Sequence, residues 1–332
     1  MKVLNIAIIG CGLIGRKRAM ALSNKFSLIS CFDINNVVST KFAMDFSAQS
    51  CEKLDDIFLN KDIDLVIIAT LHDSLADLTM KALNANKHVL VEKPAGKNYQ
   101  ELEPILDFLK NSKLKVKVGF NHRYHSALLK ANELIKNKEL GDLMFIRARY
   151  GHGARVGYNK EWRCDPELSG GGELIDQGPH LIDLSRMFLG DFTDIKGHAQ
   201  TYYWDMPVDD NAFIVLQNQM KQTAFLQVSC TEWKNMFSFE IYGQKGKIDI
   251  NGLGGSYGTE KITFYKMLPE MGPPETYSWE FPMQDNSWKV ELDELYDDII
   301  KDRTPTGNIN DAYEVLKIVN KIYKDSNYDY CS

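Results

Sequence analysis

A glycine-rich turn near the N-terminus limits the possible folds of this chain more than any other feature. The turn follows an apolar run at 5–9 and opens a helix-length segment at 13–24; its residues are Gly10, Cys11, Gly12, Leu13, Ile14 and Gly15. In such a turn the first glycine permits a tight bend, the second lets the backbone approach a pyrophosphate, and the third allows close helix–strand packing. Unpaired N–H groups at the helix start favour an anion. The pattern therefore predicts a dinucleotide-binding unit in which residues 10–15 contact the cofactor.

The rest of the first 120 residues continues this alternation of apolar runs and helical segments. Apolar runs occur at 28–32, 65–69, 88–91 and 116–119, and helix-length segments lie between them at 36–46, 74–85 and 98–111. Continuous apolar runs separated by helices indicate a parallel sheet that is covered on both faces. We therefore predict an α/β protein with an N-terminal Rossmann domain, a doubly wound parallel sheet, over residues 1–122.

Asp33 ends the second apolar run, 18 residues after Gly15. A carboxylate at this position accepts hydrogen bonds from the ribose hydroxyls and repels a 2′-phosphate, which favours NAD over NADP. The alternative interpretation is that Asp33 caps the next helix.

The second half has a different pattern and contains all five tryptophans. It begins with a helix at 126–137, a strand at 143–150, a polar loop at 151–172 and a helix at 173–188. Two further helices, at 287–301 and 310–324, close the chain. Seven closely spaced β-type runs lie between the helix at 173–188 and the helix at 287–301, at 196–204, 212–218, 223–231, 237–242, 247–250, 262–265 and 277–281. Close spacing with turn signals predicts an antiparallel meander. We therefore expect a second α/β domain, residues 123–332, with a large, mostly antiparallel open sheet.

Charge and composition exclude several classes of protein. The chain has 39 Lys and Arg against 45 Asp and Glu, a net charge of −6, and a nucleic-acid binder needs a basic footprint. No apolar run approaches the roughly 20 residues that cross a bilayer. Six cysteines show no zinc-type spacing and are expected to be reduced thiols. We expect a cytoplasmic protein with no nucleic-acid, membrane or metal partner.

Two groups of polar residues could carry chemistry. Lys93, in Glu92-Lys93-Pro94, follows a strand at the edge where ligands bind in open α/β sheets, and its ammonium could contact a substrate hydroxyl; alternatively it is a surface lysine. Asp176 and His180 lie four residues apart on one predicted helix and would share a face, as general acid–base work requires. The alternatives are an ordinary helix pair or, together with Asp183, a metal site.

A local excess of positive charge lies between residues 147 and 163. Five cations stand against Glu161 alone, a local +4; they are Arg147, Arg149, Arg155, Lys160 and Arg163. Such a segment can clamp an anionic ligand. The alternatives are exposed strand arginines or salt bridges to a neighbouring subunit.

Taken in order, three motifs resemble those of the Gfo/Idh/MocA oxidoreductases. They are Gly-x-Gly-x-x-Gly, Glu92-Lys93-Pro94, and Gly-Gly-Gly-x-Leu-x-Asp176-x-Gly-x-His180-x-x-Asp183. The resemblance spans nearly the whole chain. It implies a Rossmann domain, a Lys–Pro peptide that is often cis, and a C-terminal sheet through which the subunits form homodimers or homotetramers.

The resemblance also implies roles for individual residues. Lys93, Asp176 and His180 would be catalytic and would contact the substrate. Asn121 and Arg123 match the family's Asn-x-Arg-aromatic segment, and Trp162-Arg163 matches a pair beside the cofactor. Residues 70–75 depart from the family's Thr-Pro-Asn-x-x-His pattern. The expected cofactor contacts are residues 10–15 with Asp33, Thr70, Leu71, His72, Glu92, Lys93, Trp162 and Arg163; the expected substrate contacts are Lys93, Asn121, Arg123, Arg149, Arg155, Asp176 and His180.

These observations lead to one primary functional hypothesis. The protein would move a hydride between NAD and a secondary alcohol or ketone of a sugar, with His180 as the proton acceptor. The cationic segment favours an anionic sugar such as a sugar nucleotide over inositol, another polyol or a free sugar. The other classes considered are a non-catalytic dinucleotide sensor and metal-assisted hydrolysis.

Overall fold

The computed structural model describes residues 2–328, which form two compact units. Among the described residues, the first unit comprises 2–120 together with 288–313, and the second comprises 121–287 together with 314–328. Segment 288–313 was assigned from sequence to the second domain, but its contacts lie within the first unit. The division at residue 122 stays a prediction about which segments fold independently.

The first unit contains a six-stranded, all-parallel sheet, which confirms the predicted Rossmann fold. The strand order is β3-β2-β1-β4-β5-β6. The strands are β1 Leu4–Ile9, β2 Phe26–Phe32, β3 Gln49–Ser50, β4 Leu65–Ile68, β5 His88–Val91 and β6 Val116–Val118. Its helices are α1 Leu13–Met20, α2 Asn36–Phe46, α3 Leu54–Phe58, α4 His72–Asn84 and α5 Glu103–Leu109. Strand β3 and helix α3 were not predicted, because both are too short to show a periodic pattern.

The core of this unit explains why residues 288–313 belong to it. Strand β1 is apolar except for the half-buried Asn5, and its other five residues are buried. Leu292, Leu295 and Tyr296 lie three and four residues apart and form one helical face, which packs into the same cluster as Ile6 and Leu65. A parallel sheet needs helices on both faces, and this late helix supplies part of that cover.

The second unit contains an eight-stranded mixed sheet in the order β14-β13-β12-β11-β7-β10-β9-β8. Strand β7 pairs in parallel with β10, and all other neighbours are antiparallel. The mostly antiparallel sheet is confirmed, but a simple meander is wrong because β7 lies between β10 and β11. The strands are β7 Leu143–Gly151, β8 Asp194–Gln200, β9 Asn211–Gln217, β10 Thr223–Ser229, β11 Met236–Gly243, β12 Gly246–Asn251, β13 Glu260–Lys266 and β14 Glu275–Phe281.

The helix predicted at 173–188 is interrupted in the structure. It consists of α8 Glu173–Asp176 and α9 Gly178–Leu189, separated at Gln177. Pro179 has no N–H and cannot continue the hydrogen bonding of α8, so the chain starts a new helix. The prediction of one continuous helix is therefore wrong, and the shared face of Asp176 and His180 stays a prediction. The remaining helices are α6 Ser126–Lys136, α7 Pro166–Ser169, α10 Ser287–Ile300 and α11 Ile309–Asp325.

Two further observations concern membrane-crossing helices and the cysteines. Between residues 2 and 328, no helix has the length and apolarity needed to cross a membrane. Five cysteines in this part of the chain are free thiols, and Cys331 lies outside the described residues.

Candidate active site

The glycine turn after β1 is shaped by close backbone contacts. Gly10 has a φ of +94°, and a Cβ atom there would lie 2.4 Å from the carbonyl oxygen of Ala69. A Cβ atom on Gly15 would lie 1.9 Å from the carbonyl oxygen of Gly10, whereas one on Gly12 would meet nothing within 4 Å. Gly12 is the N-cap of α1 and supplies no capping side chain. The turn therefore fits a dinucleotide pyrophosphate, with open space beside Gly12 and N–H groups at the helix start.

Asp33 lies beside this turn and is held in place by two backbone groups. Its Oδ2 accepts a hydrogen bond from Cys11 N at 2.8 Å, and its Oδ1 accepts one from Asn35 N at 2.9 Å. The cap of helix α2 is instead Asn35, whose side chain accepts a hydrogen bond from Val37 N. Asn35, and not Asp33, is therefore the cap of helix α2.

The strand order places the other predicted cofactor contacts of this unit at the same sheet edge. Strands β2, β1, β4 and β5 are consecutive neighbours and run in parallel, so the loops that follow them line one carboxyl edge. Thr70 and Leu71 are half-buried after β4, and buried His72 begins α4. Lys93 is half-buried after β5, and its bond to Pro94 is cis, as the resemblance implied.

Glu92 is the buried anchor of the Lys–Pro segment. Its Oε1 accepts a hydrogen bond from Nε of Arg18 at 2.6 Å, and the fully buried Arg18 also pairs with Glu291 of α10. The Arg18 guanidinium lies 4.4 Å from the ring centre of Trp288. Glu92, the residue before Lys93, was predicted to contact the cofactor, whereas in the structure its carboxylate contacts the buried Arg18.

In the second unit, Asp176 is paired with Arg163. Nε of Arg163 donates to Oδ2 of Asp176 at 3.1 Å, and the Arg163 guanidinium lies 4.6 Å from the ring centre of Trp162. Asp176 is buried, so this partner offsets much of the cost of removing its charge from water. The Trp-Arg pair, predicted beside the cofactor, thus reaches one of the predicted catalytic residues.

His180 is buried at the start of α9 and stacks on His122. The two ring centres are 3.6 Å apart and the ring planes differ by 23°. Tyr150 of β7 presents its ring to the same pair, 5.2 Å from His122 and 6.1 Å from His180. His122 was not predicted as a site residue, because no sequence pattern links positions 58 residues apart in different elements.

The neighbours of His122 in the Asn-x-Arg segment make internal contacts. The Asn121 amide donates to Oγ of Ser287 at 3.0 Å, and Arg123 makes a two-point contact with Asp183, with Nε 2.7 Å from Oδ2. Asn121 and Arg123 therefore orient the segment around His180. Their predicted substrate contacts stay a prediction.

The cations of residues 147–163 do not form one clamp. Arg147 pairs with Glu240, Arg155 pairs with Glu161 at 2.6 Å, and Arg163 pairs with Asp176. Along β7, Phe145, Arg147 and Arg149 are exposed, whereas the residues between them are buried on the side against which α9 packs. We call the exposed side the open face of the sheet. Arg149 thus points away from the side that carries Tyr150 and His180, and its predicted role in the same substrate site is not supported.

A buried carboxylate that the sequence analysis missed fixes the loop after β7. Oε1 of Glu173 accepts a hydrogen bond from the Tyr158 hydroxyl at 2.8 Å and lies 3.4 Å from Nε2 of His152. Burial raises the pKa of Tyr158, so its hydroxyl keeps the proton that it donates. Glu173 therefore ties this loop, which carries Arg163, to helix α8. Within residues 2–328, no group of three or more His, Cys, Asp or Glu side chains is arranged to hold a metal ion.

Comparison with known families matches both units. Residues 4–120 match the model for an oxidoreductase family with an NAD-binding Rossmann fold, and residues 128–249 match the GFO/IDH/MocA C-terminal domain. The chain belongs to the Gfo/Idh/MocA oxidoreductase family. The family membership inferred from the three motifs is thus confirmed.

Within this family, the chain is similar to proteins that are named for sugar oxidation. It is 26% identical to glucose-6-phosphate 3-dehydrogenase from Bacillus subtilis, over 97% of this chain and 96% of that protein. It is 25% identical to levoglucosan dehydrogenase from Pseudarthrobacter phenanthrenivorans, over 76% and 74%. A solved structure of a levoglucosan dehydrogenase with NADH and L-sorbose has a TM-score of 0.90 at 20% identity, covering 98% of this chain and 97% of that one. At this identity the structural match shows a shared fold.

Proposed function

We propose that this Gfo/Idh/MocA protein is an NAD-dependent dehydrogenase that reversibly oxidises a secondary alcohol of a sugar. The observation that carries the proposal is the buried placement of Asp176 and His180 on the consecutive helices α8 and α9, where Arg163 and His122 hold them. An imidazole with positioned neighbours is suited to proton transfer near neutral pH. The names of the relatives, which act on glucose 6-phosphate and levoglucosan, support a sugar as substrate.

The residues of the first unit would hold the cofactor. The backbone of residues 10–15 fits the pyrophosphate, and Asp33 would accept hydrogen bonds from the ribose hydroxyls. The segment at 34–40, Ile-Asn-Asn-Val-Val-Ser-Thr, contains no cation to pair with a 2′-phosphate. This composition supports NAD rather than NADP.

Proton transfer would fall to the chain's own side chains. Bound NAD supplies the acceptor for the hydride of the substrate carbon. His180 accepts the proton of the substrate hydroxyl as that hydroxyl becomes a carbonyl. Asp176, neutralised by Arg163, and the ammonium of Lys93 would orient the hydroxyl. In the opposite direction His180 returns the proton to the carbonyl oxygen.

We further propose an anionic sugar, such as a sugar phosphate or sugar nucleotide, as the substrate. Lys160 and Arg155 are exposed on the loop that leads to Arg163. The only acidic partner of Arg155 that the structure shows within residues 2–328 is Glu161, and surface ion pairs of this kind contribute only about 0–1 kcal/mol. Arg155 can therefore exchange this partner for a phosphate. An inositol, polyol or free-sugar substrate is the alternative within the same class.

The protein is also proposed to form homodimers or homotetramers through the open face. Phe145, Phe213, Val215 and Phe225 are large apolar side chains exposed on β7, β9 and β10. Register places Phe225 opposite both Val215 and Arg147, so they form one continuous patch. Contiguous exposed apolar surface is typical of a protein–protein interface.

The proposed function predicts the effect of replacing His180 by Asn. Loss of the proton acceptor should lower kcat by about 10²- to 10⁴-fold and leave NADH affinity unchanged. The measurement is a screen of sugars, sugar phosphates and sugar nucleotides with NAD and NADP by cofactor absorbance, followed by kinetics of His180→Asn on the active substrate.

His198→Asn is the matched control, because His198 is exposed on β8, and it should retain full activity. Full activity of His180→Asn would contradict the assignment of the base. Binding of NADH without turnover of any compound would favour the sensor alternative, and faster turnover with NADP would contradict the cofactor assignment.

A further inference from the structure

The stacking of His122 on His180 brings two titratable rings into direct contact. Both side chains are buried, at 6% and 5% exposure, and the ring centres are 3.6 Å apart. At this distance two imidazolium ions would repel each other in a region where water cannot screen them. The proposed function assigns a role to His180 and leaves His122 without one.

The hydrogen bonds of His122 indicate which nitrogen carries its proton. Nδ1 of His122 lies 3.3 Å from Oδ1 of Asn121. The Asn121 amide nitrogen donates to Oγ of Ser287, which leaves its oxygen directed at His122. Nδ1 of His122 therefore donates its proton to Asn121. This chain of contacts fixes the ring plane of His122 over His180.

The charged groups packed around the pair are already matched with partners. Arg163 holds Asp176 of α8, Arg123 holds Asp183 of α9, and Glu260 of β13 lies 3.1 Å from His125. The remaining rings that contact the pair are His125, at 5.4 Å from His122, Tyr150 and Phe237. Each of these carboxylates has a basic partner, and the ring of His122 stacks directly on that of His180.

We infer that His122 is a positioning residue for His180, and that the stacked pair carries at most one positive charge. The inference rests on the proposed function for the role of His180 as base. A neutral His122 presents its π face to His180 and stabilises the imidazolium that forms when His180 accepts the substrate proton. A protonated His122 instead opposes that step, so the apparent pKa values belong to the pair.

Two substitutions of His122 separate the effect of its π face from the effect of its charge. His122→Phe keeps a flat ring and removes the second titratable group; His122→Leu removes both. Cation–π stabilisation corresponds to about 2- to 30-fold in rate, so we expect kcat of His122→Leu to lie that far below His122→Phe. The KM for NAD should be the same in both variants, because the cofactor turn is made by other residues.

Histidine titration by NMR tests the pair without activity. The protein has seven histidines, and carbon-13-labelled full-length protein allows the two signals to be assigned by their loss in His122→Phe and His180→Asn. In the wild type we expect the two rings to titrate in two coupled steps rather than independently. In His122→Phe, His180 should titrate in a single step, and in His122→Leu that step should move to lower pH.

The outcomes distinguish this inference from the proposed function. Identical titration of His180 in the wild type and both variants would overturn the inference, even if His180→Asn is inactive. If the two rings titrate as a coupled pair but His180→Asn is fully active, His180 is not the base. The role of His122 in catalysis would then be contradicted as well. Equal kcat for the Phe and Leu variants would also overturn the role of the π face.

Discussion

Gly12 and Gly15 lie three residues apart in one turn, yet an added methyl group would meet different surroundings. At Gly15 it would meet the carbonyl oxygen of Gly10, a backbone atom that cannot rotate away. At Gly12, where φ is −71°, it would meet no atom of the protein within 4 Å. The same glycine pattern therefore contains one position required by folding and one left open for a ligand.

This difference predicts opposite effects of two alanine substitutions. Gly15→Ala should destabilise the protein by about 3 kcal/mol, because the overlap involves backbone. Gly12→Ala should keep the wild-type melting temperature and weaken NADH binding by tenfold or more (~1.4 kcal/mol). Thermal unfolding and NADH fluorescence titration measure the two effects. Unchanged NADH affinity in a folded Gly12→Ala protein would show that no pyrophosphate lies against this turn.

At the scale of elements, neighbouring strands are joined by charged side chains across the open face. Glu240 of β11 accepts hydrogen bonds from Arg147 of β7 and from Lys247 of β12, the latter at 2.6 Å. Arg147, which the sequence suggested as part of an anion clamp, is thus a cross-strand partner in the middle of the sheet. Opposite charges on adjacent strands favour this pairing register over registers that are shifted along the strands.

The ion pairs of Glu240 predict a pH-dependent contribution to stability. Burial opposes ionisation of Glu240, but Arg147 and Lys247 outweigh it and lower the pKa of Glu240 to about 2, from an ordinary value of 4.5. The unfolded chain therefore binds this proton at higher pH than the folded chain. The contribution is complete above about pH 5 and is lost as the pH falls towards 2.

We expect Glu240→Gln to destabilise the second unit by about 2 kcal/mol at pH 7 and by progressively less at pH 4 and 3. Urea unfolding at each pH measures the difference from the wild type. The control is Glu280→Gln, which removes an exposed pair with Lys261 and should cost little at any pH. If the difference in unfolding free energy between Glu240→Gln and the wild type were the same at each pH, the lowered pKa of Glu240 would be contradicted.

At the scale of the whole molecule, the open face has no cover within the described chain. Its apolar side chains lie on β7, β9 and β10, and the opposite side of the sheet packs against helices such as α9. An antiparallel sheet can leave one face to solvent, but such a face is normally polar. Exposed Phe145, Phe213 and Phe225 support the proposed contact with another copy of the chain.

Phe225→Asp is therefore predicted to lower the oligomeric state. Burying an unpaired carboxylate in an apolar interface is costly, so association should weaken by at least tenfold. Light scattering coupled to size-exclusion chromatography measures the mass of each variant. Val37→Asp, on an exposed position of α2, is the control and should keep the wild-type mass. A monomeric wild type would contradict the proposed interface.

Local patterns in the sequence determined the fold class and most element boundaries. Apolar runs and helical periodicity located the strands of the parallel sheet, and the glycine turn indicated its ligand-binding edge. These signals act between residues that are close in sequence, so they can be recognised without the rest of the chain. Pro179 was also a local signal, and it explains why Asp176 and His180 lie on two helices rather than one.

The tertiary structure alone decided which distant residues meet. Positions far apart in the chain are joined by the pairing of β7 with β10, by the packing of α10 in the first unit, and by the contact of Arg147 with Glu240. Such pairings depend on the net free energy of many packing contacts, and no short motif encodes them. The stacking of His122 on His180 is the clearest case, because its effect on proton transfer depends on a distance of 3.6 Å that only the folded chain creates.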